Sequence, residues 1–543
     1  MRGYLPRSTA RSLGESRGIK FSNSPCGNAS SDGKDLIALY NFIFNMEPLL
    51  LLVLLGIFTY FIIKRSVASL TRTPVWILWL TIMTPALIWS GWTLIVGEDQ
   101  TIPLLLLIAP FVLCTLLYLW LIQRGRREPG GEIGASSTQG TTSQPQTANS
   151  ADTPKNQKES PRPINKDEEA RLRNCFPWGI YYLQNVDYSA QAVLCRGKLR
   201  TNPEQAYERI RENIEQQFGD RFLVIFQEGL KGEPFFALVP NPRSQSQNRA
   251  QNEQLRRPGL ALALVLITLL TTTLVGAEFA GVSPEQVQSN PALIEQGLPY
   301  AVALMGILGV HELSHYLSAL YYKIRATLPY FIPVPFFLGT FGAFIQMRSP
   351  LPHRKALFDV SIAGPLGGLI VTLPVLIWGL SMSEVVPLTE DSGLLNIESL
   401  NPQSSLLMTV LSQLALGSEL APQGAINLHP IAIAGYIGLV VTALNLMPVG
   451  QLDGGHIVHA MYGQRTAAVV GQVARLLMIV LAFSEPGFLI WAIILFFMPI
   501  IDEPALNDVT ELDNWRDLCG LLSLTLLASI LVPAPEIVMQ WLN

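Results

Sequence analysis

Charged side chains are scarce in this chain. Asp, Glu, Lys and Arg make up 14% of its 543 residues, against about 25% in soluble domains. That shortage argues against an ordinary water-soluble protein. The formal net charge is only −4, so there is no basic surplus and no nucleic-acid partner is indicated. Cysteine is sparse too. Cys26, Cys114, Cys175, Cys195 and Cys519 are scattered and form no CxxC pair, leaving no disulfide framework to read. Cys175 and Cys195 could meet, but a disulfide is not expected if their domain is cytoplasmic. Histidine is missing from the first 310 residues, and all six lie beyond them. Two long stretches, 258–322 and 356–464, contain no Lys or Arg.

What the chain has instead is apolar runs of spanning length, repeated along it. They predict a polytopic α-helical membrane protein of about 9–10 transmembrane helices. A basic tail occupies residues 1–45. Its first 35 residues are rich in arginine and serine, which suits a plastid-type transit peptide or a disordered tail; the lack of a clear cleavage signal favours the tail. Three spans fill 46–123, near 48–63, 75–96 and 102–122, and Arg124, Arg126 and Arg127 follow. A Gly/Ser/Thr/Gln-rich linker runs over 124–166.

Residues 167–240 read as a small soluble α+β domain. Strand character is seen at 181–188, 191–199, 221–227 and 234–239, and Asn202-Pro203 introduces a helix to about residue 218. A second polar linker covers 241–257. The core, 258–535, has spans at 260–276, 298–322, 356–382, 431–447, a pair within 467–501, and 518–532. Arg475 interrupts the first of that pair. It either faces the bundle interior or marks a short span.

Loop charges orient the chain. The connections near 277–297 and 383–428 carry no cation and are read as non-cytoplasmic. Basic clusters at Arg124–Arg127, Arg256-Arg257, Lys323/Arg325, Arg348/Arg354/Lys355 and Arg465 then share the cytoplasmic side. The basic N-terminus is the exception to this alternation.

One polar cluster interrupts the apolar run 298–320. It is His311-Glu312-Leu313-Ser314-His315. A helix brings positions four apart onto one face, so both imidazoles converge. This is the zincin arrangement, with two histidine ligands for Zn²⁺ and a glutamate as general base. Ionisable groups in hydrocarbon are expensive and imply a function. At about 1.5 Å per residue, His315 lies roughly 12 Å from the cytoplasmic end at Lys323.

A catalytic zinc needs a third protein ligand and an open fourth position. Asp453, in Asn445-Leu446-Met447-Pro448-Val449-Gly450-Gln451-Leu452-Asp453-Gly454-Gly455, is the best candidate. Its span exits on the same side, and Pro448 and the glycines break the helix so that Asp453 can turn back. Asn445 is an amide on that helix end, able to hydrogen-bond a substrate carbonyl or oxyanion.

Together these blocks resemble the site-2 protease family of intramembrane zinc metalloproteases, which pairs HExxH with an NxxPxxxLDG element. The resemblance implies His311, His315 and Asp453 as ligands of one Zn²⁺ per chain, and Glu312 as the base. Gly339-Thr340-Phe341-Gly342-Ala343, Ala363-Gly364-Pro365 and Leu506-Asn507-Asp508-Val509-Thr510-Glu511 are similar to the chloroplast and cyanobacterial branch. That branch includes the ethylene-dependent gravitropism-deficient and yellow-green proteins of plants. The likeness covers about residues 170–530, so the first three spans lie outside it. Gly197-Lys198-Leu199-Arg200 stands where plant members have Gly-Asn-Leu-Arg, and Lys198 departs from that pattern. The 383–428 connection is too short for a PDZ domain.

The implied activity is metal-assisted hydrolysis of a peptide bond within or near a membrane span of another protein. Zn²⁺ activates water and polarises the carbonyl while Glu312 moves the proton. The resemblance extends to partners: the lipid bilayer, and a membrane-tethered regulator or anti-sigma factor as substrate. It implies a cyanobacterial plasma or thylakoid membrane, or a chloroplast membrane, with the active site towards the cytoplasmic (stromal) face. Residues 339–347 have a strand-like pattern that could offer an edge to an unwound substrate. The rival reading is a non-proteolytic chaperone or scaffold of the same fold, whose signature would be a missing ligand or base. A metal transporter would need paired intramembrane carboxylates or histidines along a path, and none is seen. Plainer roles suit the remaining candidates. His353, His429 and His459 read as loop or interface residues, and His456 as surface or as a neighbour of the ligands. Asp359 reads as an interfacial cap, and Gly364, Gly367 and Gly368 as close-packing positions.

Overall fold

Short polar breaks, many carrying proline, divide the apolar sequence into helices. In the computed structural model these are seen over residues 164–535, except 190–191, 230–231, 242–256, 336, 389–399, 418–423, 485–487 and 500–501. Residues 73–96 and isolated positions between 52 and 121 are also described. The expected tail, most of the 124–166 linker, and all but isolated positions of the spans near 48–63 and 102–122 lie outside the described residues.

The elements run in order α1 (Val75–Val96), α2 (Lys166–Asn174), β1 (Tyr181–Ser189), β2 (Ala192–Leu199), α3 (Pro203–Phe218), β3 (Phe222–Glu228) and β4 (Pro234–Pro240). The core follows as α4 (Pro258–Phe279), α5 (Pro284–Ser289), α6 (Leu298–Tyr321), β5 (Tyr330–Pro333), β6 (Thr340–Phe344) and α7 (Arg354–Leu380). Then come β7 (Glu384–Pro387), α8 (Leu406–Leu416), β8 (Gly424–Asn427), α9 (Pro430–Leu446), α10 (Asp453–Tyr462), α11 (Gln464–Ser484), α12 (Leu489–Phe497) and α13 (Asn514–Leu531).

Proline sits in the first turn of α3, α4, α6 and α9, where its missing N–H costs no helical bond. Asn202, expected to open α3, caps it by accepting from the Glu204 amide. The α+β unit is an antiparallel sheet in the order β1-β2-β4-β3 with α3 packed on it. Phe226 and Phe236 stack at 4.1 Å in its core. Cys175 and Cys195 are both free and buried, and burial pushes their thiols up to about 11 and about 12. They are packing residues.

Five helices among the described residues are long and apolar enough to cross a membrane: within α1, α4, α6 (with the 3₁₀ turn before it), α7 and α11. Of the other expected spans among the described residues, α13 has 18 residues, and two are shorter still. α9 has 17 residues and α12 has 9, about 26 and 14 Å at 1.5 Å per residue, against a hydrocarbon core of about 30 Å. The connection expected as a plain loop holds the β7–β8 hairpin and α8, whose Ser405 caps Met408.

The core centres on α6, α7 and α9, with α4 flanking α6. Arg475 faces inward. It is buried, and its guanidinium donates to the Met498 and Pro499 carbonyls at 2.7 and 3.1 Å, satisfying the C-terminal end of α12.

Candidate metal centre

α6 runs without a break through His311 and His315, so both rings lie on the face turned to α7 and α9. Both are buried, with Nε2 atoms 3.3 Å apart. His315 is oriented by the Val360 carbonyl, 2.8 Å from Nδ1. Donation from Nδ1 leaves Nε2 a lone pair facing His311. This arrangement depends on a glycine. At Gly364 of α7, a Cβ would stand 2.0 Å from His315 Nε2, so only hydrogen fits there. Gly368 lies behind His311 in the same way, with a Cβ 3.1 Å from Nδ1.

The third group arrives from the broken end of α9. The helix stops at Leu446, Met447 turns extended, Gly450 takes a left-handed φ of 55°, and α10 begins at Asp453. Asp453 Oδ2 then sits 3.2 Å from His315 Nε2 and 3.7 Å from His311 Nε2. These three form the one cluster of potential metal-ligating side chains among the described residues. Ligands at about 2.0–2.1 Å from a tetrahedral zinc are about 3.3 Å from one another. The observed edges of 3.3, 3.2 and 3.7 Å match that triangle. Two imidazole lone pairs and a carboxylate facing one point would repel unless a cation or proton stood between them. The residues therefore fit zinc.

Asn445, on the last turn of α9, lies with Nδ2 3.2 Å from His311 Nε2. Glu312 is half-buried beside the triangle and faces the backbone amide of Ile345, just past β6. The strand pattern expected at 339–347 is present as β6, paired antiparallel with β5. Its turn is tied down from both sides: Thr271 of α4 donates to the Gly339 carbonyl at 2.7 Å and Tyr300 of α6 to the Leu338 carbonyl at 3.0 Å. An open groove of about 750 Å³ runs between α4 and this hairpin, walled by Leu260, Leu264, Tyr330, Phe331 and Phe344, with Arg257 and Arg348 also lining it.

Residues 299–484, which hold both motif blocks, match the family model described as Peptidase family M50. Those residues form a site-2 protease domain. Residues 170–247 match the model of the EGY3 middle domain. The chain is 29% identical over 370 residues to "Probable zinc metalloprotease EGY1, chloroplastic" of Arabidopsis thaliana, covering 63% of this chain and 66% of that protein. It is 28% identical over 388 residues to "Probable zinc metalloprotease EGY2, chloroplastic" of the same plant, covering 69% and 67%. A third Arabidopsis relative, "Probable zinc metallopeptidase EGY3, chloroplastic", is 26% identical over 365 residues, covering 65% and 63%. The chain thus spans about two thirds of the length of these relatives. No solved structure matches.

The remaining candidates fall elsewhere. His353 and His429 cap α7 and α9, accepting from the Ala356 and Ile431 amides. Asp359 is no cap: it lies inside α7 and pairs with Arg516 of α13 at 2.7 and 2.6 Å, and with the Tyr322 hydroxyl. His459, expected in a loop or at an interface, is fully buried. Its Nδ1 meets Asp502 at 2.7 Å and its Nε2 meets Asp508 at 3.0 Å. Burial works against its charged form, but the hydrogen-bonded carboxylates of Asp502 and Asp508 outweigh it and raise His459 to about 9. His456 also reaches Asp502, at 2.8 Å. The signal for this network is two histidines three apart on α10, but its acids lie over 40 positions away, so only the fold joins them.

Proposed function

We propose that this chain is a zinc-dependent intramembrane endopeptidase, hydrolysing a peptide bond within or near the transmembrane segment of a membrane-protein substrate. The observation that carries the reading is the His311–His315–Asp453 triangle of zinc dimensions, with Glu312 beside it. His311, His315 and Asp453 would hold one ion. When bound, zinc supplies Lewis acidity and an activated water at neutral pH. Glu312 accepts the proton of the attacking water and passes it to the departing amine. Asn445 donates to the developing oxyanion.

A helical substrate must unwind before its carbonyls can react. The β5–β6 hairpin supports a reading in which the unwound segment lies along β6 towards Glu312, because extended backbone pairs with extended backbone. The zinc metalloprotease names of the relatives agree with hydrolysis. Their chloroplastic designation, with the apolar helices, supports a chloroplast membrane; a cyanobacterial membrane rests on the sequence resemblance alone. The loop charges support an active site towards the stromal or cytoplasmic face. The family resemblance supports a membrane-tethered regulator or anti-sigma factor as substrate.

The test is Glu312→Gln in purified protein, with a single-span membrane protein as substrate. Zinc content should stay at one ion per chain while cleavage falls by at least about 10²-fold, the lower range for a lost general base. Cleavage retained at the wild-type rate would remove Glu312 from the mechanism. A wild type that binds zinc but cuts no membrane substrate would favour the scaffold reading.

A further inference from the structure

The Leu506–Glu511 segment plays no part in the chemistry above, yet it joins three parts of the molecule. β3 is the edge strand of the α+β sheet, and its free side is taken by this segment. The Phe226 amide donates to the Leu506 carbonyl at 2.7 Å and the Asp508 amide to the Phe226 carbonyl at 2.9 Å, in parallel pairing. On its other side the segment binds the entry to α7. The Leu506 amide donates to the Leu351 carbonyl at 2.9 Å and the Asn507 amide to the Pro352 carbonyl at 3.0 Å. Val509 is buried in the core of the α+β unit. A segment of the membrane core thus completes that unit's sheet.

Asp508 then reaches the opposite way. Its carboxylate meets His459 Nε2, while Asp502 holds Nδ1 of the same ring. Arg354, the first residue of α7, donates to the Ala460 and His459 carbonyls at 2.8 and 3.3 Å. These contacts fix the C-terminal half of α10, and the first residue of α10 is Asp453. At its other end Gly454 lies so close to α9 that a Cβ would be 1.9 Å from the Leu446 carbonyl. His459 lies six positions after Asp453, about 9 Å along the helix. A helix of ten residues clamped at both ends has no freedom to turn its ligand away.

We propose that His459 and Asp508 are positioning residues for the third zinc ligand, and that through the shared strand the docked α+β unit sets how tightly the centre holds its metal. This rests on the metal reading above. Ligand orientation by outer partners is worth 10–100-fold in metal affinity, and a clamp acting through a helix belongs at the lower end, about tenfold. Coupling of this kind is reciprocal: if docking tightens zinc binding, zinc must tighten docking by the same factor.

Asp508→Ala separates the two halves, because the Asp508 amide keeps its bond to Phe226 while the carboxylate is lost. In full-length purified protein, zinc affinity by chelator competition should fall about tenfold. The visible spectrum of the Co²⁺-loaded form should shift, and Asp508→Glu should restore part of both. Asp508→Ala with affinity within twofold of wild type and an unchanged Co²⁺ spectrum overturns the proposal. Should that variant fail to fold, wild type decides. Removing zinc should speed hydrogen exchange at the Phe226 and Asp508 amides by about tenfold, and unchanged exchange at both overturns the coupling. A wild type that binds no zinc overturns the metal reading itself, which is a different failure.

Discussion

An alanine at position 364 should empty the metal centre while leaving the fold standing. The Cβ it adds would lie 2.0 Å from His315 Nε2 and 2.4 and 2.5 Å from Cδ2 and Cε1, where ordinary contact begins near 3.4 Å. The ring must therefore retreat by about 1.4 Å, or α6 and α7 must part by a similar distance. Zinc sites hold their ligand distances to about ±0.2 Å, so either response removes His315 from the triangle. A lost ligand exceeds the 10–100-fold effect of a lost outer partner; zinc affinity should drop by at least about 100-fold, or ~2.7 kcal/mol. The overpacking itself costs about 1–3 kcal/mol, which a helical bundle of this size survives. Chelator competition reads the affinity. Thermal melts with and without zinc read the linkage, which should vanish in the variant. Gly306→Ala is the control, since it lies on α6, the helix of His315, with nothing within 4 Å of its Cβ; it should bind zinc as wild type does. Zinc affinity within about threefold of wild type in Gly364→Ala would refute the close approach of α6 and α7 on which the whole site depends.

Other expectations follow from single contacts. Asn445→Ala should lower kcat by about 10²–10³-fold, the usual loss for one oxyanion donor, with zinc content intact; lost zinc would instead make its 3.2 Å contact to His311 the important one. Arg475→Leu should destabilise the protein by about 1–3 kcal/mol in denaturant titration, because the Met498 and Pro499 carbonyls lose a buried donor. Stability should also depend on pH through the network around His459. Its folded pKa is raised from 6.5 to about 9, so its contribution is complete below about 6.5 and fades as pH rises through about 9. For Asp502, burial opposes the charged carboxylate, but hydrogen bonds from His456 and His459 outweigh it and lower it from 3.8 to about 2. That contribution is complete above about 4 and lost as pH falls towards 2. Melts of His459→Asn should lose the alkaline part of this profile and weaken the acidic part, which then rests on His456 alone.

Much of the fold was legible because its cues are local. The strands of the α+β unit lie within about two residues of their alternating patterns, and Pro203 after Asn202 marks the start of α3. His311 and His315 converge because helix geometry fixes positions four apart. Asp453 was within reach of reasoning because Pro448 and Gly450 announce a break just before it. Hydropathy was a poorer guide to length. A continuous apolar run contains no mark of where a helix ends inside the bundle, so α12, 9 residues long, reads the same as a span. His459 was misread for a related reason. A histidine looks exposed until the carboxylates that satisfy it are found, and Asp502 and Asp508 lie 43 and 49 residues away.

The short helices and the buried acids have one explanation in common. A full span ending at the membrane surface would carry the Asp453 element past the depth of His311 and His315. Ending α9 after 17 residues lets the chain turn while still among other helices, where Gly450 can adopt its left-handed conformation and irregular backbone is covered by protein. The turn has a cost: α10 packs against α7 and α11 with His459 and most of its backbone removed from water. Arg354 on its terminal carbonyls, and Asp502 and Asp508 on His459, meet that cost with charge-assisted bonds. Had α10 been held by apolar packing alone, rotation about its axis would be resisted only weakly, and a carboxylate at its first residue could swing off the metal. The polar clamp belongs where it is because the ligand it steadies is at the other end of the same ten residues.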